Sequence, residues 1–347
     1  MSHSTTRLRR PLTVSVVAAA GLSLVLAPLA HAAGGTERIA GEDRYETAVE
    51  VSNLAVGEDG SADAVVLARG NDYADALTGS ALAIDKDAPL LLTYQNSLAR
   101  ATADELQRVL GDEGTVYLLG GTSAISNAVA ERVTELGYEV ARLAGDNRYE
   151  TAIAVADEID PATLLVGTGT DFPDALTAGG AAGHHGGAVL LTNGRSLPSA
   201  IADYISGFGG QVYAVGGPAV EALNDVGGVI DVEGEDRYGT AVAVAETFFD
   251  LGPGLQGFNL ASGQDFPDAL AGAASSGGNG HPVLLAQSDN LPNVTASYLT
   301  EITEGRLLLG FVLGGKNAIS DDVMEATDEA LNPTEDDDSE DGDDSDA

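Results

Sequence analysis

The chain has 347 residues, of which 44% are hydrophobic, and its formal net charge is −38. Sixteen lysines and arginines face 54 acidic residues, which excludes unaided binding to nucleic acid because phosphates require a basic surface. The chain has no cysteine, so disulfides, thiolate metal sites and cysteine nucleophiles are excluded as well.

The N-terminal segment, residues 1–32, is typical of a secretory signal peptide. The basic stretch RLRR (7–10) precedes an apolar run that ends in small residues, which places the predicted cleavage after Ala32. A membrane helix is the weaker interpretation, because the run is short for a bilayer and Pro28 interrupts it. No later segment is long and apolar enough to span a membrane, so we expect an exported protein.

One sequence unit then occurs three times. It opens with GEDRYETA (41–48), GDNRYETA (145–152) or GEDRYGTA (234–241). Each copy continues with an apolar run, a turn with two aspartates, a second apolar run, a polar segment and a third run that ends in Gly-Gly. We therefore divide the chain into repeats 37–140, 141–230 and 231–332, each about the size of a small domain. Residues 333–347 form a tail with nine acidic residues, for which we predict disorder.

The pattern within each copy predicts an α/β fold. Apolar residues recur at helical spacing after the opening motif, as in Tyr238, Ala241, Val242 and Ala245. The intervening apolar runs are short and continuous, as in parallel strands that are buried on both faces. We expect three tandem Rossmann-like units, each an open parallel sheet flanked by helices. If each copy supplies four strands to its own sheet, its polar turns meet at the carboxyl edge, where α/β sheets bind ligands.

Two aspartates recur in the second turn of every copy. Helix capping is the leading interpretation for the first of them, with the second completing a capping box. Coordination of a Ca²⁺ or Mg²⁺ ion and hydrogen bonds to sugar hydroxyls are the alternatives that stay open. The pairs are Asp72 and Asp75, Asp171 and Asp174, and Asp265 and Asp268.

An arginine and a tyrosine recur in the opening motif: Arg44 and Tyr45, Arg148 and Tyr149, Arg237 and Tyr238. In so acidic a chain we expect the arginine to face a carboxylate, and the aspartate turn is its natural partner. Such a contact would tie one loop to the next. The alternative is a grip on an anionic ligand. The Gly-Gly turns lack the residues of a phosphate-binding loop, so we interpret them as tight turns.

A catalytic site is not indicated. His184 and His185 are the only candidates for one, they occur in the second copy alone, and no ligand set for a metal is recognisable. An active site would also break the internal symmetry, whereas the polar turns are repeated in all three copies. We therefore predict a non-catalytic protein.

Taken together, the motifs GxxRYxTA, xDFPDAL, PxLLT and VYxxGG resemble the cell wall-binding repeat 2 family over almost the whole chain after Ala32. The resemblance implies a secreted cell-surface module of three repeats in a triangle around a pseudo-threefold axis. It also implies non-covalent binding of an anionic secondary polymer of a Gram-positive wall. The PxLLT strands would matter for anchoring; here they contain Leu90, Leu91, Leu92, Val189, Leu190, Leu191, Val283, Leu284 and Leu285.

The sequence alone leaves open the role of divalent cations, the choice between functions and the assembly of the repeats. The net charge should repel an anionic polymer, so Ca²⁺ or Mg²⁺ could bridge carboxylates to it. A hydrolase of wall components and a self-assembling surface protein are the alternative functions. The pattern sets neither the oligomeric state nor whether the triangle closes within one chain.

Overall fold

The computed structural model describes residues 34–57, 60–73, 75–249, 257–303 and 308–333. The predicted signal peptide (1–32) and, apart from Pro333, the predicted acidic tail lie outside these ranges. Within them, no helix has the length and apolar character needed to cross a bilayer.

The described strands form three parallel sheets of four strands each. The first sheet has the order β3-β2-β4-β5, the second β7-β6-β8-β9 and the third β11-β10-β12-β1. The strands are β1 (Gly35–Ile39), β2 (Ala64–Arg69), β3 (Leu90–Thr93), β4 (Thr115–Leu119), β5 (Glu139–Leu143), β6 (Thr163–Thr168), β7 (Ala188–Thr192), β8 (Gln211–Val215), β9 (Val229–Val232), β10 (Gly257–Ser262), β11 (Val283–Ala286) and β12 (Leu309–Leu313).

The fourth strand of each sheet corrects the predicted topology. We expected the strand before each GxxRY motif to join the sheet of its own copy. Instead, β5 pairs with β4 of the first copy, and β9 pairs with β8 of the second. The helix after each of these strands then packs on the next sheet, as α5 does on β7. Each copy is therefore joined to its neighbour by a shared strand and helix.

The N-terminal strand closes the three units within a single chain. β1 pairs in parallel with β12, with Gly35 opposite Leu309 and Ile39 opposite Leu313. Side chains reinforce the closure, since Asp328 accepts hydrogen bonds from the backbone N–H and the hydroxyl of Thr36 at 2.8 and 2.9 Å. The question that the sequence left open is thus answered for the described residues: the triangle closes within one chain.

Three equivalent helices, α2, α6 and α10, meet at the centre, and each of them packs against the other two. This arrangement agrees with the expected pseudo-threefold axis. The helices are α1 (Arg44–Val56), α2 (Gly79–Asp85), α3 (Arg100–Leu110), α4 (Asn127–Glu135), α5 (Arg148–Ile159), α6 (Pro173–His184), α7 (Ser199–Gly207), α8 (Gly217–Leu223), α9 (Arg237–Phe248), α10 (Pro267–Asn279), α11 (Asn293–Thr303) and α12 (Asp321–Leu331).

Small residues allow these central helices to approach closely. A Cβ on Gly277 of α10 would lie 2.3 Å from the carbonyl oxygen of Gly180 in α6 and 2.4 Å from Cδ1 of Ile84. Alanine and glycine fill much of the same stretch in α6 and α10. The composition of these helices is therefore explained by the packing at the centre.

Candidate functional site

Three corresponding junctions lie where two copies meet at the carboxyl edge of a sheet, and clefts open at two of them. Each combines the aspartate turn and the Gly-Gly turn of one copy with the GxxRYxT motif of the next. We call them the 1–2, 2–3 and 3–1 junctions after the copies that they join. Their arginines are Arg148, Arg237 and Arg44, in that order.

The opening motif builds the start of the helix that enters each junction. α1 begins at Arg44, and the side chain of Asp43 caps it by accepting hydrogen bonds from the backbone N–H groups of Tyr45 and Glu46. Asn147 and Asp236 cap α5 and α9 in the same way. These caps were not predicted, although an Asp or Asn directly before a helical pattern is the usual signal for one.

The glycine and the threonine of the motif hold its loop against the helix. The hydroxyl of Thr47 accepts a hydrogen bond from the Gly41 N–H at 3.2 Å, and the same bond occurs at Gly145 and Gly234. A side chain at Gly41 would not fit, because its Cβ would lie 2.3 Å from Cβ of Glu46. The spacing between glycine and threonine thus follows from the close approach of loop and helix.

Each arginine ties the motif to the strand end of its own copy. Arg44 donates a hydrogen bond from Nη1 to the Gly70 carbonyl at 2.6 Å, and Arg148 and Arg237 donate equivalent bonds to Gly169 and Gly263. This bond within one copy was not predicted. It fixes the position of the guanidinium beside the end of the strand.

The predicted contact between the arginine and the aspartate turn is present at the 2–3 junction. There Arg237 donates from Nη2 to Oδ2 of Asp171 in the preceding copy at 3.1 Å. At the 1–2 junction the guanidinium carbon of Arg148 lies 5.8 Å from the ring centroid of Tyr73, and that of Arg237 lies 6.0 Å from the ring centroid of Phe172 at the 2–3 junction. Both arginines therefore lie over the aromatic residue of the previous copy's aspartate turn, and Arg237 also pairs with a carboxylate there.

The capping interpretation of the first aspartate is wrong. α6 and α10 begin at Pro173 and Pro267, and their N-cap residues, Phe172 and Phe266, make no side-chain capping bond. Proline favours the first helical position, which moves the start of the helix one residue beyond the position that capping requires. Asp171 and Asp265 instead accept a hydrogen bond from the backbone N–H of the following phenylalanine. In the first copy α2 begins only at Gly79, far from Asp72.

The second aspartate lies against the Gly-Gly turn. A Cβ on Gly120, Gly216 or Gly314 would come within 2.4, 2.0 or 2.3 Å of an oxygen of Asp75, Asp174 or Asp268. These glycines also have φ angles of 88°, 83° and 95°, which other residues rarely adopt. Both constraints require glycine, so the predicted tight turn is confirmed and the carboxylate is its packing partner.

Burial shifts the second aspartates toward the protonated form. It raises the pKa of Asp75, of Asp268 and of Asp174, the last to about 6, with Asp171 adding to the shift. At the other two sites a threonine of the following copy opposes burial by hydrogen bonding to the carboxylate. Thr151 does so for Asp75 and Thr47 for Asp268.

The clefts differ in size. The 2–3 cleft has a volume of about 560 Å³ and the 3–1 cleft about 230 Å³. In the second copy α8 begins directly at Gly217, so Pro218, Val220 and Glu221 line the larger cleft. The absence of the AIS turn in this copy therefore changes the shape of the cleft.

The strand residue that supports the Gly-Gly turn differs at the same junction. Arg38 and Arg142 donate hydrogen bonds to the carbonyls of Gly314 and Gly120, both at 2.8 Å. Asp231 occupies the corresponding place in β9 and has no such donor. Arg195 provides a second cation in this cleft, where it pairs with Glu221.

An aromatic cluster joins the three aspartate turns. The ring centroids of Tyr73, Phe172 and Phe266 are separated by 5.5 to 6.1 Å, and the Tyr73 hydroxyl donates to the Thr170 carbonyl at 2.9 Å. The aromatic residue recurs in every copy of the motif, and this recurrence could have revealed the cluster. The three loops that carry the aspartates are thereby held together.

The predicted tyrosines and strand residues are mostly interior. Tyr45 and Tyr238 are buried, which raises the pKa of both, and Tyr149 is partly buried. The PxLLT side chains are all buried: Leu90, Leu91, Leu92, Val189, Leu190, Leu191, Val283, Leu284 and Leu285. Their anchoring role stays a prediction, and they could exert it only by supporting the loops that follow.

The two histidines lie away from the clefts. α6 starts at the 2–3 junction and runs for twelve residues to His184, which places the histidines about 18 Å away. His184 Nδ1 is 3.1 Å from the Gly277 carbonyl and His185 Nε2 is 2.6 Å from the Phe248 carbonyl. Among the described residues, no group of three or more histidine, aspartate and glutamate side chains is arranged to hold a metal ion.

The chain is a member of a family of wall-binding modules. The profile of cell wall binding domain 2 (CWB2) matches residues 38–130, 142–222 and 232–324, so the chain belongs to this family. The match confirms the predicted family and its three tandem repeats.

The chain is similar to two curated proteins of Bacillus subtilis. It is 29% identical to the N-acetylmuramoyl-L-alanine amidase LytC, over 80% of this chain and 56% of LytC. It is 26% identical to the amidase enhancer, over 83% of this chain and 39% of that protein. The chain therefore spans about half or less of the length of these relatives.

Two solved structures have the same fold. Cwp6 from Clostridium difficile matches with a TM-score of 0.75 and 23% identity, over 86% of this chain and 48% of Cwp6. Cwp8 from the same organism matches with a TM-score of 0.72 and 26% identity, over 86% of this chain and 52% of Cwp8. The three-sheet architecture thus recurs in both.

Proposed function

We propose that the chain is a secreted, non-catalytic module that binds an anionic secondary polymer of a Gram-positive cell wall. The observation that carries this proposal is the threefold repetition of one junction, built each time from an aspartate turn, a Gly-Gly turn and an arginine of the next copy. Membership of the CWB2 family supports the polymer as the ligand. Three similar sites on one chain suit a repetitive polymer, because several weak contacts together give a strong attachment.

The chain has a net charge of −38, and the three arginines place positive charge at the junctions where an anionic polymer would bind. Arg44 lines the 3–1 cleft and Arg237 the 2–3 cleft, so each can reach an acidic group placed there. A guanidinium binds phosphate or carboxylate in a bidentate manner, which favours anionic units of the polymer. Ca²⁺ or Mg²⁺ would add to this attraction by bridging exposed carboxylates to the polymer.

We assign any hydrolysis of the wall to other proteins, or to domains other than these repeats. LytC is named as an amidase, but the region that matches this chain is only about half of LytC. In the described part of this chain, the clefts contain carboxylates and arginines, and the histidines lie at the far end of α6. We infer that the repeats attach and do not cut.

Cosedimentation tests the proposal. The chain from Ala33 is mixed with purified Gram-positive walls that are intact or stripped of their secondary polymers. We expect the protein to pellet with intact walls only. A chelator would reduce pelleting if divalent cations take part. Failure to pellet with either wall, at low and at high salt, would contradict the proposed function.

A further inference from the structure

The first copy carries an exposed tyrosine at the end of β3. Tyr94 is 44% exposed, and its ring centroid is 4.2 Å from that of Tyr45, which is 6% exposed. Tyr45 is in turn held against the backbone, since a Cβ on Gly70 would lie 2.8 Å from its ring. The Tyr94 ring is thus supported from below by a fixed aromatic ring, while much of its surface remains open to solvent.

Polar side chains are arranged beside this ring. Arg69 is paired with Thr93 in the β2–β3 register, so it lies next to the backbone that carries Tyr94. It donates from Nε to Oδ1 of Asn71 at 2.5 Å, and its Nη1 lies 3.4 Å from the Ser123 carbonyl oxygen and 3.8 Å from Oδ2 of Asp72. Gln95 donates to the Ser123 carbonyl at 2.7 Å. A guanidinium and two amides therefore lie at the ends of the same two neighbouring strands as the exposed ring.

The arrangement occurs in the first copy only. The residues that correspond to Arg69 are Thr168 and Ser262, and those that correspond to Tyr94 are Asn193 and Gln287. The same strand ends form in all three copies. The fold therefore requires neither an arginine nor an aromatic residue at these positions. A single exposed tyrosine would need no explanation, but here it occurs together with the arginine.

We propose that Tyr94, Arg69 and Asn71 form a subsite for one pyranose ring of an anionic glycan. The inference rests on the proposed function, and it adds a binding position on the first copy outside the junction clefts. An aromatic face receives the apolar C–H face of a sugar ring with little loss of conformational freedom, because tyrosine has few rotatable bonds. The guanidinium binds an acidic substituent of the sugar, and the amides bind its hydroxyl groups.

Calorimetric titration with soluble fragments of purified wall polymer tests the subsite. The variants of the chain from Ala33 are Tyr94→Ala and Tyr94→Phe, and the control is Ile230→Ala, which removes an apolar side chain of the same 44% exposure from β9. We expect binding about tenfold weaker for Tyr94→Ala and unchanged for Tyr94→Phe and Ile230→Ala. Unchanged affinity of Tyr94→Ala would overturn the subsite alone, whereas absent binding by the unmodified chain would overturn the proposed function and the subsite with it.

Nitration of tyrosine provides a second measurement that needs no variant. Tetranitromethane should modify Tyr94 in the free protein, and bound polymer should protect it, as followed by mass spectrometry of the peptide that contains it. Loss of modification on addition of polymer supports the subsite. Equal modification with saturating polymer would overturn it.

Discussion

The carboxylate of Asp174 shows how one residue sets the conditions under which a junction is stable. It is packed against Gly216, close to Asp171 and Glu233, and only the guanidinium of Arg237 opposes their effect on its charge. Thr151 and Thr47 hydrogen-bond to the equivalent aspartates, but no such bond lowers the pKa of Asp174. Protonation of Asp174 should therefore affect the stability of the 2–3 junction more than protonation of Asp75 or Asp268 affects the other two junctions.

This difference predicts a pH-dependent effect of Asp174→Asn. The pKa of Asp174 is raised from 3.8 to about 6 in the folded protein, so the folded state binds the proton more tightly than the unfolded state. This contribution to stability is fully present below pH 3.8 and is lost as the pH rises toward 6. The shift corresponds to about 3 kcal/mol at most. We expect Asp174→Asn to gain stability relative to the unmodified protein between pH 4 and pH 7.

Thermal or urea unfolding at the two pH values measures this gain. Asp104→Asn is the matched control, because it removes the same charge from the exposed face of α3. A difference between Asp174→Asn and the unmodified protein that is the same at both pH values would show that the carboxylate is not disfavoured by its site.

At the scale of the elements, the central helices depend on glycine at their contacts. Gly277 and Gly278 are neighbours in α10, yet only Gly277 faces α6 at close range; apart from the adjoining residues and backbone of α10 itself, no atom lies within 4 Å of a Cβ built on Gly278. Alanine favours a helix interior by about 0.5–1 kcal/mol over glycine. Two adjacent substitutions of the same kind should therefore have different effects on the free energy of unfolding.

We expect Gly277→Ala to lower the free energy of unfolding by about 1–3 kcal/mol, because the methyl group would force α6 and α10 apart. Gly278→Ala should leave stability unchanged or raise it slightly. Thermal unfolding of both variants provides the comparison. Equal effects of the two substitutions would contradict the packing of α10 on α6.

The closing strand β1 allows a second test at this scale. Removing residues up to Ala40 leaves one edge of β12 without its partner, and an open edge pairs readily with another chain. We predict a lower unfolding temperature and concentration-dependent oligomers for the chain from Gly41, compared with the chain from Gly34. Light scattering measures the oligomers. A monomer of unchanged stability would show that β1 is not needed to close the third sheet.

The sequence allowed the elements of each copy to be predicted, but it did not reveal which sheet each strand joins. The continuous apolar runs of β2, β6 and β10 indicated buried parallel strands, and the burial of these strands agrees with that prediction. The strand before each GxxRY motif was also expected. Its transfer to the previous sheet depends on contacts between copies that local periodicity does not encode.

Predictions for the site residues succeeded where simple charge attraction decides the contact and failed where the local backbone decides it. Arg237 meets an aspartate turn because opposite charges attract, but Asp171 belongs to the preceding copy, whereas we expected a partner in the arginine's own copy. The capping of helices by Asp171 and Asp265 failed because proline moved the helix start by one residue. The bond from each arginine to a glycine carbonyl could not be foreseen, since every residue offers a carbonyl.

At the scale of the whole molecule, three junctions on one closed chain are expected to act together. If each junction holds one unit of the polymer, then binding at one raises the effective concentration of polymer at the others. Loss of one arginine should then weaken binding moderately, while loss of all three should nearly abolish it. If a single junction dominated binding, one arginine substitution would instead cause the whole loss of affinity.

The most direct measurement of the central claim is the affinity for intact walls in a series of Arg→Gln variants. The series removes Arg44, Arg148 and Arg237 singly, in pairs and together, and Arg100→Gln is the control for charge, because Arg100 is almost fully exposed on α3. Circular dichroism establishes that each variant remains folded. We predict a several-fold loss for each single variant, a loss of more than a hundredfold for the triple variant, and no loss for Arg100→Gln. A folded triple variant that binds intact walls as tightly as the unmodified protein would contradict binding through the junctions.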